Sequence, residues 1–254
     1  GVADAIEAGC DVWAGLHDHL RDDPTIAARA QAAGVRLWDV RAPPEDLQVA
    51  TGEQHPGAGR VVLTVGSDCS TGKMTATMAL RDAALAAGID VGVVATGQTG
   101  VMVTGTGVVI DRVIADFAAG AVEAAVAAAT TEFDLVLVEG QGSIIHPAYS
   151  GVTMALLHGT RPDAMVLSHS AGRSHIRGYP EVAIPPLETL VELYESLAEP
   201  VRPAKVVAGV LNTHGLDAEA ADSAIASMTH ATGVPVTDPV RSDPSPIIDS
   251  LLSQ

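Results

Sequence analysis

The strongest chemical signal in the sequence is the stretch 66–75, which reads Gly-Ser-Asp-Cys-Ser-Thr-Gly-Lys-Met-Thr. Glycines allow the backbone to approach a ligand closely, and backbone N–H groups at the start of a helix attract anions. Lys73 adds a full positive charge at the same place. The pattern predicts a phosphate-binding loop whose cofactor-binding residues are Gly66, Ser67, Asp68, Cys69, Ser70, Thr71, Gly72, Lys73, Met74 and Thr75.

Two details distinguish this loop from the common ATP-binding form. Five residues separate Gly66 from Gly72, where the common pattern has four, and this spacing resembles the loop of dethiobiotin synthetase-like proteins. The residue after the lysine is Met74, where a Ser or Thr usually ligates Mg²⁺, and a thioether is a poor ligand for that cation. We therefore expect the loop to bind a diphosphate without a metal ion.

Glu139 and His146 are the candidate proton acceptors. Glu139 directly follows the apolar run 135–138, which is the position of a Walker-B acid or a general base at a strand end. Its alternative role is that of a turn acid in a structural ion pair. His146 follows in the same loop, and a lone loop histidine is often only a structural side chain. Together with Lys73, these two residues form the predicted catalytic set.

The segment 168–180 holds the densest group of basic side chains. Arg173 and Arg177 occur there with His169 and His175, in a chain that has only 14 lysines and arginines. Arginine binds carboxylates and phosphates through parallel hydrogen bonds, and a solvated charged loop is the alternative interpretation. No other His or Cys has metal-ligand spacing, so we predict no metal site. The predicted substrate-binding residues are Arg173, Arg177, Gln98, Tyr149 and His169, and Asn212 is predicted to contact a nucleotide base.

Cys69 lies inside the predicted anion-binding loop, near the start of the following helix. That position is expected to lower the pKa of the thiol and makes it a candidate nucleophile. The simpler interpretation, which we favour, is a small side chain that fits the loop.

Alternating apolar runs and helical patterns predict an α/β fold with a mostly parallel, doubly wound sheet of the P-loop NTPase type. The predicted strands are 61–65, 91–95, 134–138, 164–168, 205–211 and 234–237. The predicted helices are 73–87, 111–130, 187–198, 217–231 and 245–253. Ligands bind beyond the carboxyl ends of such strands, at the loops 66–72, 96–107, 139–151, 169–181 and 212–215.

A smaller unit precedes this sheet. Residues 1–52 predict a partial Rossmann-like domain, with short strands at 11–15 and 35–40 and a helix at 24–33. A linker rich in Gly and Pro follows it, and 60–254 form the P-loop-type domain. A further βα unit before Gly1 would complete the first domain, so we expect the chain to be incomplete at that end.

Composition limits the possible partners and locations. The 254 residues carry a formal net charge of −17, which argues against binding to nucleic acid or to anionic membranes. Two cysteines are too few for a disulfide framework, which indicates the cytoplasm. The scarcity of lysine on an acidic chain is typical of halophilic proteins, and a high-GC codon bias is the alternative explanation. We also expect a homo-oligomer.

Several motifs together resemble the DUF1611 family. They are 66–75, Val138–Ser143 with His146-Pro147, Arg177–Pro180, Pro203–Val207 and Asn212-Thr213, with Gly15–Asp18 and Trp38–Arg41 in the first part. The resemblance covers nearly all of the chain and implies a Rossmann-like domain before a P-loop-type domain. It also implies D-glutamate N-acetyltransferase activity, with acetyl-CoA as co-substrate and an amino acid as acceptor.

The residues agree with that activity, because acetyl-CoA carries a diphosphate and needs no catalytic Mg²⁺. Glu139 or His146 would accept the amine proton, and backbone N–H groups of the loop or of 140–143 would bind the oxyanion. Arg173 and Arg177 would bind the two carboxylates of glutamate. Two alternatives remain: an ATP-dependent ligase, carboxylase or kinase of the dethiobiotin synthetase-like group, and a non-catalytic nucleotide-binding protein.

Overall fold

The computed structural model describes residues 1–252. The first part of the chain pairs two short parallel strands with two helices: α1 (Val2–Glu7), β1 (Val12–Ala14), α2 (Pro24–Ala33) and β2 (Leu37–Asp39). α2 begins at a proline, whose missing N–H would have no helical partner there, and the Asp23 carboxylate caps it by accepting from Thr25 N at 2.8 Å. The helix ends at Gly34, which has a left-handed backbone conformation.

The second part of the chain is built on longer strands. In chain order they are β3 (Arg60–Gly66), β4 (Val91–Val94), β5 (Leu135–Val138), β6 (Ala164–Ser170), β7 (His175–Ile176), β8 (Tyr179–Ala183), β9 (Lys205–Asn212) and β10 (Val236–Thr237). Within residues 1–252, β7 and β8 form an antiparallel hairpin. The larger sheet is parallel and has the order β10-β9-β6-β3-β5-β4. β3 therefore lies between β5 and β6, and the carboxyl ends of these three strands meet at one edge.

Helices cover both faces of this sheet. They are α3 (Lys73–Ala86), α4 (Gln98–Thr104), α5 (Ala115–Glu132), α6 (Ser150–Thr160), α7 (Leu187–Ala198), α8 (Ala218–Thr232) and α9 (Ser245–Leu252). α3 and α9 pack on one face, where Leu80 and Leu251 are buried, and α5 to α8 pack on the other, around Val122 and Tyr194. Burial on both faces explains why the central strands are continuously apolar rather than alternating.

The predicted fold class is confirmed, and the predicted strands are all present with ends that differ by at most two residues. The loops predicted at 96–107 and 139–151 are shorter in the structure than predicted. The first contains the helix α4, and the second ends where α6 begins, at Ser150. α4 contains Gly100 and α6 contains Gly151 and Gly159, and glycine lowers intrinsic helix propensity. In α6, a Cβ at Gly159 would lie 2.3 Å from Ala119 O, so glycine permits close packing against α5.

Two further predictions need correction. The helix predicted at 111–130 begins only at Ala115, because Ile110–Arg112 form a 3-10 turn first. The hairpin β7–β8 lies in a segment predicted as a loop. The helix predicted at 245–253 is observed as Ser245–Leu252, and its residue 253 lies outside the described residues, as does the end of the predicted domain 60–254.

The first part of the chain packs directly against the second. Val40 forms a small buried cluster with Ala95, Val101 and Val109, beside which Trp38 and Met102 also pack. The connecting segment is held as well, because the Glu123 carboxylate accepts from Thr51 N at 2.6 Å and from Gly52 N at 3.0 Å. Over residues 1–252, the helices are all too short or too polar to span a lipid bilayer.

Candidate active site

The predicted phosphate-binding loop connects the end of β3 to the start of α3. Gly72 has φ 103°, a conformation that favours glycine, and it brings Lys73 to the first position of the helix. The Lys73 Nζ atom is buried and donates to Asp68 O and Gly142 O, each at 2.8 Å. Burial lowers the pKa of Lys73 to about 8. A Cβ at Gly66 would lie 2.8 Å from Lys73 Nζ, so this glycine gives the ammonium its place.

Asp68 fixes the first half of the loop from inside. Its carboxylate is fully buried and accepts from Cys69 N at 2.6 Å and from Arg177 N at 2.8 Å. The Arg173 guanidinium donates to the same carboxylate at 3.1 Å and to Cys69 O at 2.6 Å. Arg173 thus contacts the phosphate-binding loop itself, while the Arg177 side chain lies on the exposed turn of the β7–β8 hairpin. The substrate-binding roles of both arginines stay predictions.

Glu139 lies at the end of β5, beside the loop, and its carboxylate is held in one orientation. Oε2 accepts from Thr96 N at 3.1 Å and Gly97 N at 3.2 Å, and Oε1 accepts from Gln141 Nε2 at 3.0 Å. Burial raises the pKa of Glu139. A Cβ at Gly100 would lie only 2.2 Å from Glu139 Oε2, which explains a glycine inside the short helix α4. The result is a positioned carboxylate with increased proton affinity, as a general base requires.

His146 is buried and has a defined tautomer. Its Nδ1 accepts a hydrogen bond from Ala148 N at 3.1 Å, so the neutral ring carries its proton on Nε2. Burial lowers the pKa of His146, which favours this neutral form. The ring packs on Tyr149, with 4.5 Å between the ring centroids. In this arrangement Nε2 donates a proton rather than accepting one, so the geometry fits a hydrogen-bond donor better than the predicted base.

The same tautomer bears on metal binding. Among the described residues, Asp68, Cys69 and His146 bring an oxygen, a sulfur and a ring nitrogen within 4.8 Å of one another, as a metal site would. A neutral histidine can ligate a metal only through an unprotonated nitrogen. Nε2 is the atom that faces Asp68, at 3.9 Å, and it carries the proton. The hydrogen bonding of this group therefore does not fit a metal ion.

The protonation of two other predicted site residues follows from burial. The His169 Nδ1 lies 2.7 Å from Ser67 Oγ, and burial lowers the pKa of His169 to about 4, so the ring is neutral and is bonded to the loop. Burial raises the pKa of the Cys69 thiol, and this effect is larger than the opposing effect of the Lys73 charge. The expected lowering of the Cys69 pKa is thus wrong, because partial burial outweighs the nearby positive charge.

Three neighbouring cavities surround the loop. The first, of about 280 Å³, lies beyond β9 and is lined by Thr71, Gly72, Thr75, Asn212, His214, Asp238 and Arg241, among others. The second, of about 320 Å³, is lined by the loop and by Glu139, Gly140, Gln141 and Gly142. The third, of about 160 Å³, is lined by Cys69, Thr96, Gly97, Gln98, Asp111, Gln141, Gly142, Tyr149 and Val152. Adjacent cavities share wall residues, Gly72 and Thr75 for the first pair and Cys69, Gln141 and Gly142 for the second.

The predicted site residues are distributed unevenly over these cavities. Asn212 lines the first cavity and Glu139 the second, while Gln98 and Tyr149 face the third. Arg173, Arg177, His169 and His146 are absent from the walls of these three cavities, as residues 1–252 form them.

Asp111 and its ion-pair partner Arg41 received no role in the sequence analysis. Asp111 lines the third cavity, and an Arg41 ion pair stands behind Asp111. The sequence feature that could have indicated this pair is the motif Trp38–Arg41, in which Arg41 had no predicted role.

The parallel sheet and the phosphate-binding loop define a P-loop-type α/β protein. A model of the DUF1611 C-terminal P-loop domain, a domain of unknown function, matches residues 48–248. A model of the DUF1611 N-terminal, Rossmann-like domain matches residues 1–43. The chain belongs to the DUF1611 family, which confirms the resemblance of its motifs.

Named relatives point to an activity within the family. The chain is 41% identical over 251 residues to a Tritonibacter scottomollicae protein named D-glutamate N-acetyltransferase, covering 98% of this chain and 74% of the relative. A Pseudoalteromonas protein with the same name is 38% identical over 252 residues, covering 98% and 75%. The crystal structure of a DUF1611 family protein from Anabaena variabilis matches with a TM-score of 0.94 at 41% identity, covering 100% of this chain and 74% of that one.

Proposed function

We propose that the protein transfers the acetyl group of acetyl-CoA to the amino group of an amino acid, with D-glutamate as the acceptor. The names of its relatives support an acetyltransferase. The observation that carries the proposal is the row of three cavities along the loop, with Glu139 in the wall of the middle one. A long donor and a small acceptor can occupy such a row and meet in the middle.

Acetyl-CoA fits this row from the first cavity inward. The adenine ring occupies the first cavity, whose wall contains Val210 and Leu211, and the Asn212 amide faces the base. The diphosphate binds the backbone N–H groups of the loop and the charge of Lys73. The thioester then lies near Cys69, which lines both the second and third cavities. The acceptor occupies the third cavity.

We assign a group of the protein or of the substrates to each step of the transfer. The Glu139 carboxylate takes a proton from the ammonium of the acceptor, and the free amine attacks the thioester carbonyl carbon. Backbone N–H groups of 140–143 stabilise the negative charge that develops on the carbonyl oxygen. The new C–N bond forms, the C–S bond breaks, and the CoA thiolate takes up the proton that the amine loses. His146 lines none of the three cavities as residues 1–252 form them, and its neutral Nε2–H faces Asp68 at 3.9 Å, so its proposed contribution is to position the loop.

Arg173 and Arg177 remain our candidates for the acceptor carboxylates. Arg177 is exposed and engages Asp68 through its backbone N–H, and within residues 1–252 its guanidinium makes no hydrogen bond. It lines none of the three cavities in the described part of the chain, so it would reach the acceptor carboxylates from outside the walls of the third cavity. Arg173 already donates to the loop, and its effect on the substrate would pass through the position of that loop. Measuring KM for glutamate and Kd for acetyl-CoA in Arg177→Lys and Arg173→Ala separates the two roles, because the lysine retains the charge but lacks the planar fork.

An ATP-dependent enzyme is the competing function, since an adenine cavity beside a P-loop also suits ATP. The deciding experiment compares two reactions in low and high salt: release of CoA thiol from acetyl-CoA with D- or L-glutamate, and release of phosphate from MgATP. Thiol release that requires an amino acid, with mass-spectrometric detection of the N-acetyl product, supports the proposal. Phosphate release without thiol release would refute it.

A further inference from the structure

The third cavity is lined by a carboxylate that has no role in the proposed acetyl transfer. Among the described residues that line this cavity, Asp111 is the one with a carboxylate side chain. That side chain is 44% exposed. Asp111 Oδ2 accepts from the Arg41 guanidinium, and no hydrogen bond from residues 1–252 is made to Oδ1. Oδ1 is therefore available to a ligand that donates hydrogen bonds.

Arg41 holds this carboxylate from the first part of the chain. Its side chain is only 8% exposed, and its Nε donates to Gly15 O at 2.7 Å. The two motifs of the first part, Gly15–Asp18 and Trp38–Arg41, thus meet at this point. A buried guanidinium needs a carboxylate partner, and the pair fixes the position of Asp111. Gly15 also packs on the cavity residue Gln98, since a Cβ at Gly15 would lie 3.3 Å from Gln98 Cγ.

We propose that Asp111 binds the ammonium group of the acceptor, and that the first part of the chain completes the acceptor site through Arg41. This inference rests on the proposed function. An ammonium group donates charge-assisted hydrogen bonds to a carboxylate, while the other side chains of the third cavity are uncharged or apolar. The ion pair with Arg41 reduces the repulsion that a bare carboxylate would exert on the two carboxylates of glutamate. Amines therefore bind here in preference to plain dicarboxylic acids.

The test compares D-glutamate with glutarate, which has the same two carboxylates and no amine. We expect the wild-type protein, saturated with CoA, to bind glutamate about 10-fold more tightly than glutarate in calorimetry. In Asp111→Asn the ratio of the two Kd values should fall to about one, because glutamate loses affinity and glutarate does not. Asp116→Asn, which removes an exposed carboxylate nearby on α5, should keep the wild-type ratio.

A second variant guards against misfolding, because Asp111→Asn leaves the buried Arg41 without a charged partner. The double variant Arg41→Gln/Asp111→Asn removes both charges of this pair and should also bind the two ligands equally. A glutamate preference that persists in both variants overturns the inference. Acetyl transfer in the wild type together with such a persistent preference leaves the proposed function intact. An Asp111-dependent preference without any acetyl transfer would instead support the inference and refute the proposed function.

Discussion

The phosphate-binding loop (66–75) and the third cavity share Cys69, yet they are built in different ways. The loop takes all its groups from ten consecutive residues between β3 and α3. The third cavity takes Gln98, Asp111 and Tyr149 from three separate segments, and Arg41 supports it from the first part of the chain.

Under the proposed function, this difference matches the two ligands. A phosphate is bound well by backbone N–H groups, which one short continuous loop can present together. A small acceptor needs side chains that converge from several directions, and only the packing of distant segments can bring those together. The loop should therefore control binding of the donor, the third cavity should control binding of the acceptor, and Glu139 between them should control the rate.

The largest expected effect is on the rate, from the change Glu139→Gln. Glutamine keeps the size and can still accept from Thr96 N and Gly97 N, but it cannot take a proton. We expect kcat to fall by about 10²- to 10⁴-fold, with smaller changes in KM for either substrate. In the wild type, the rate should increase with pH as Glu139 loses its proton, at a pH above the ordinary glutamate range because burial raises its pKa.

The matched control for that variant is Glu132→Gln, an exposed acid at the end of α5. Steady-state kinetics with both substrates measure the effect. Wild-type kcat in Glu139→Gln would show that Glu139 is structural and that another group takes the proton.

The next largest effect concerns the donor alone, from Lys73→Ala. The loss of a charge-assisted contact costs about 1.5–3 kcal/mol, or roughly 10- to 150-fold in Kd for acetyl-CoA. The Kd for glutamate should change little, which sharpens the separation between loop and third cavity. Lys205→Ala, which removes an exposed lysine outside the site, is the control. Equal weakening of both ligands would contradict the separation.

A smaller effect should follow pH. Lys73 is positive below its pKa, which burial lowers to about 8, so the free protein loses this charge as the pH rises above 8. The Kd for acetyl-CoA should be constant below about pH 7 and should increase by up to roughly tenfold per pH unit well above pH 8. Titration calorimetry between pH 6 and 9.5 measures it, and the increase should vanish in Lys73→Ala. A pH-independent Kd in the wild type would mean that Lys73 does not contact the phosphates.

The smallest effect is expected for Cys69→Ala, at the boundary between the two regions. Because burial raises the pKa of this thiol, we expect direct attack by the amine and turnover within a few-fold of wild type. Intact-protein mass spectrometry after incubation with acetyl-CoA alone should find no acetylated Cys69. Cys10→Ala, on an exposed residue, is the control. An acetylated Cys69 together with an inactive alanine variant would show a covalent route.

Local patterns in the sequence predict much of the fold because they follow from local physics. Val61–Val65 consists of β-branched or apolar residues that are buried on both faces, as is typical of a central parallel strand. A glycine loop with a lysine typically follows such a strand. Glu139 at a strand end was placed beside the loop by the same rule of parallel sheets. The short helix α4 was missed because Gly100 and the N-cap residue Gly97 suit contacts with Glu139 and Gln141, which are distant in sequence.

The tertiary structure alone determines which hydrogen-bond and ion-pair partners the polar side chains of the site have. The sequence shows Arg173 in a basic segment, but only packing brings its guanidinium to Asp68 in the loop. It shows His146, but the hydrogen bond from Ala148 N sets its tautomer. It shows Arg41 and Asp111 seventy residues apart, and only the contact between the two parts of the chain joins them. Composition and periodicity determine which elements form, whereas protonation and ligand choice depend on distances and burial that arise only when distant segments pack together.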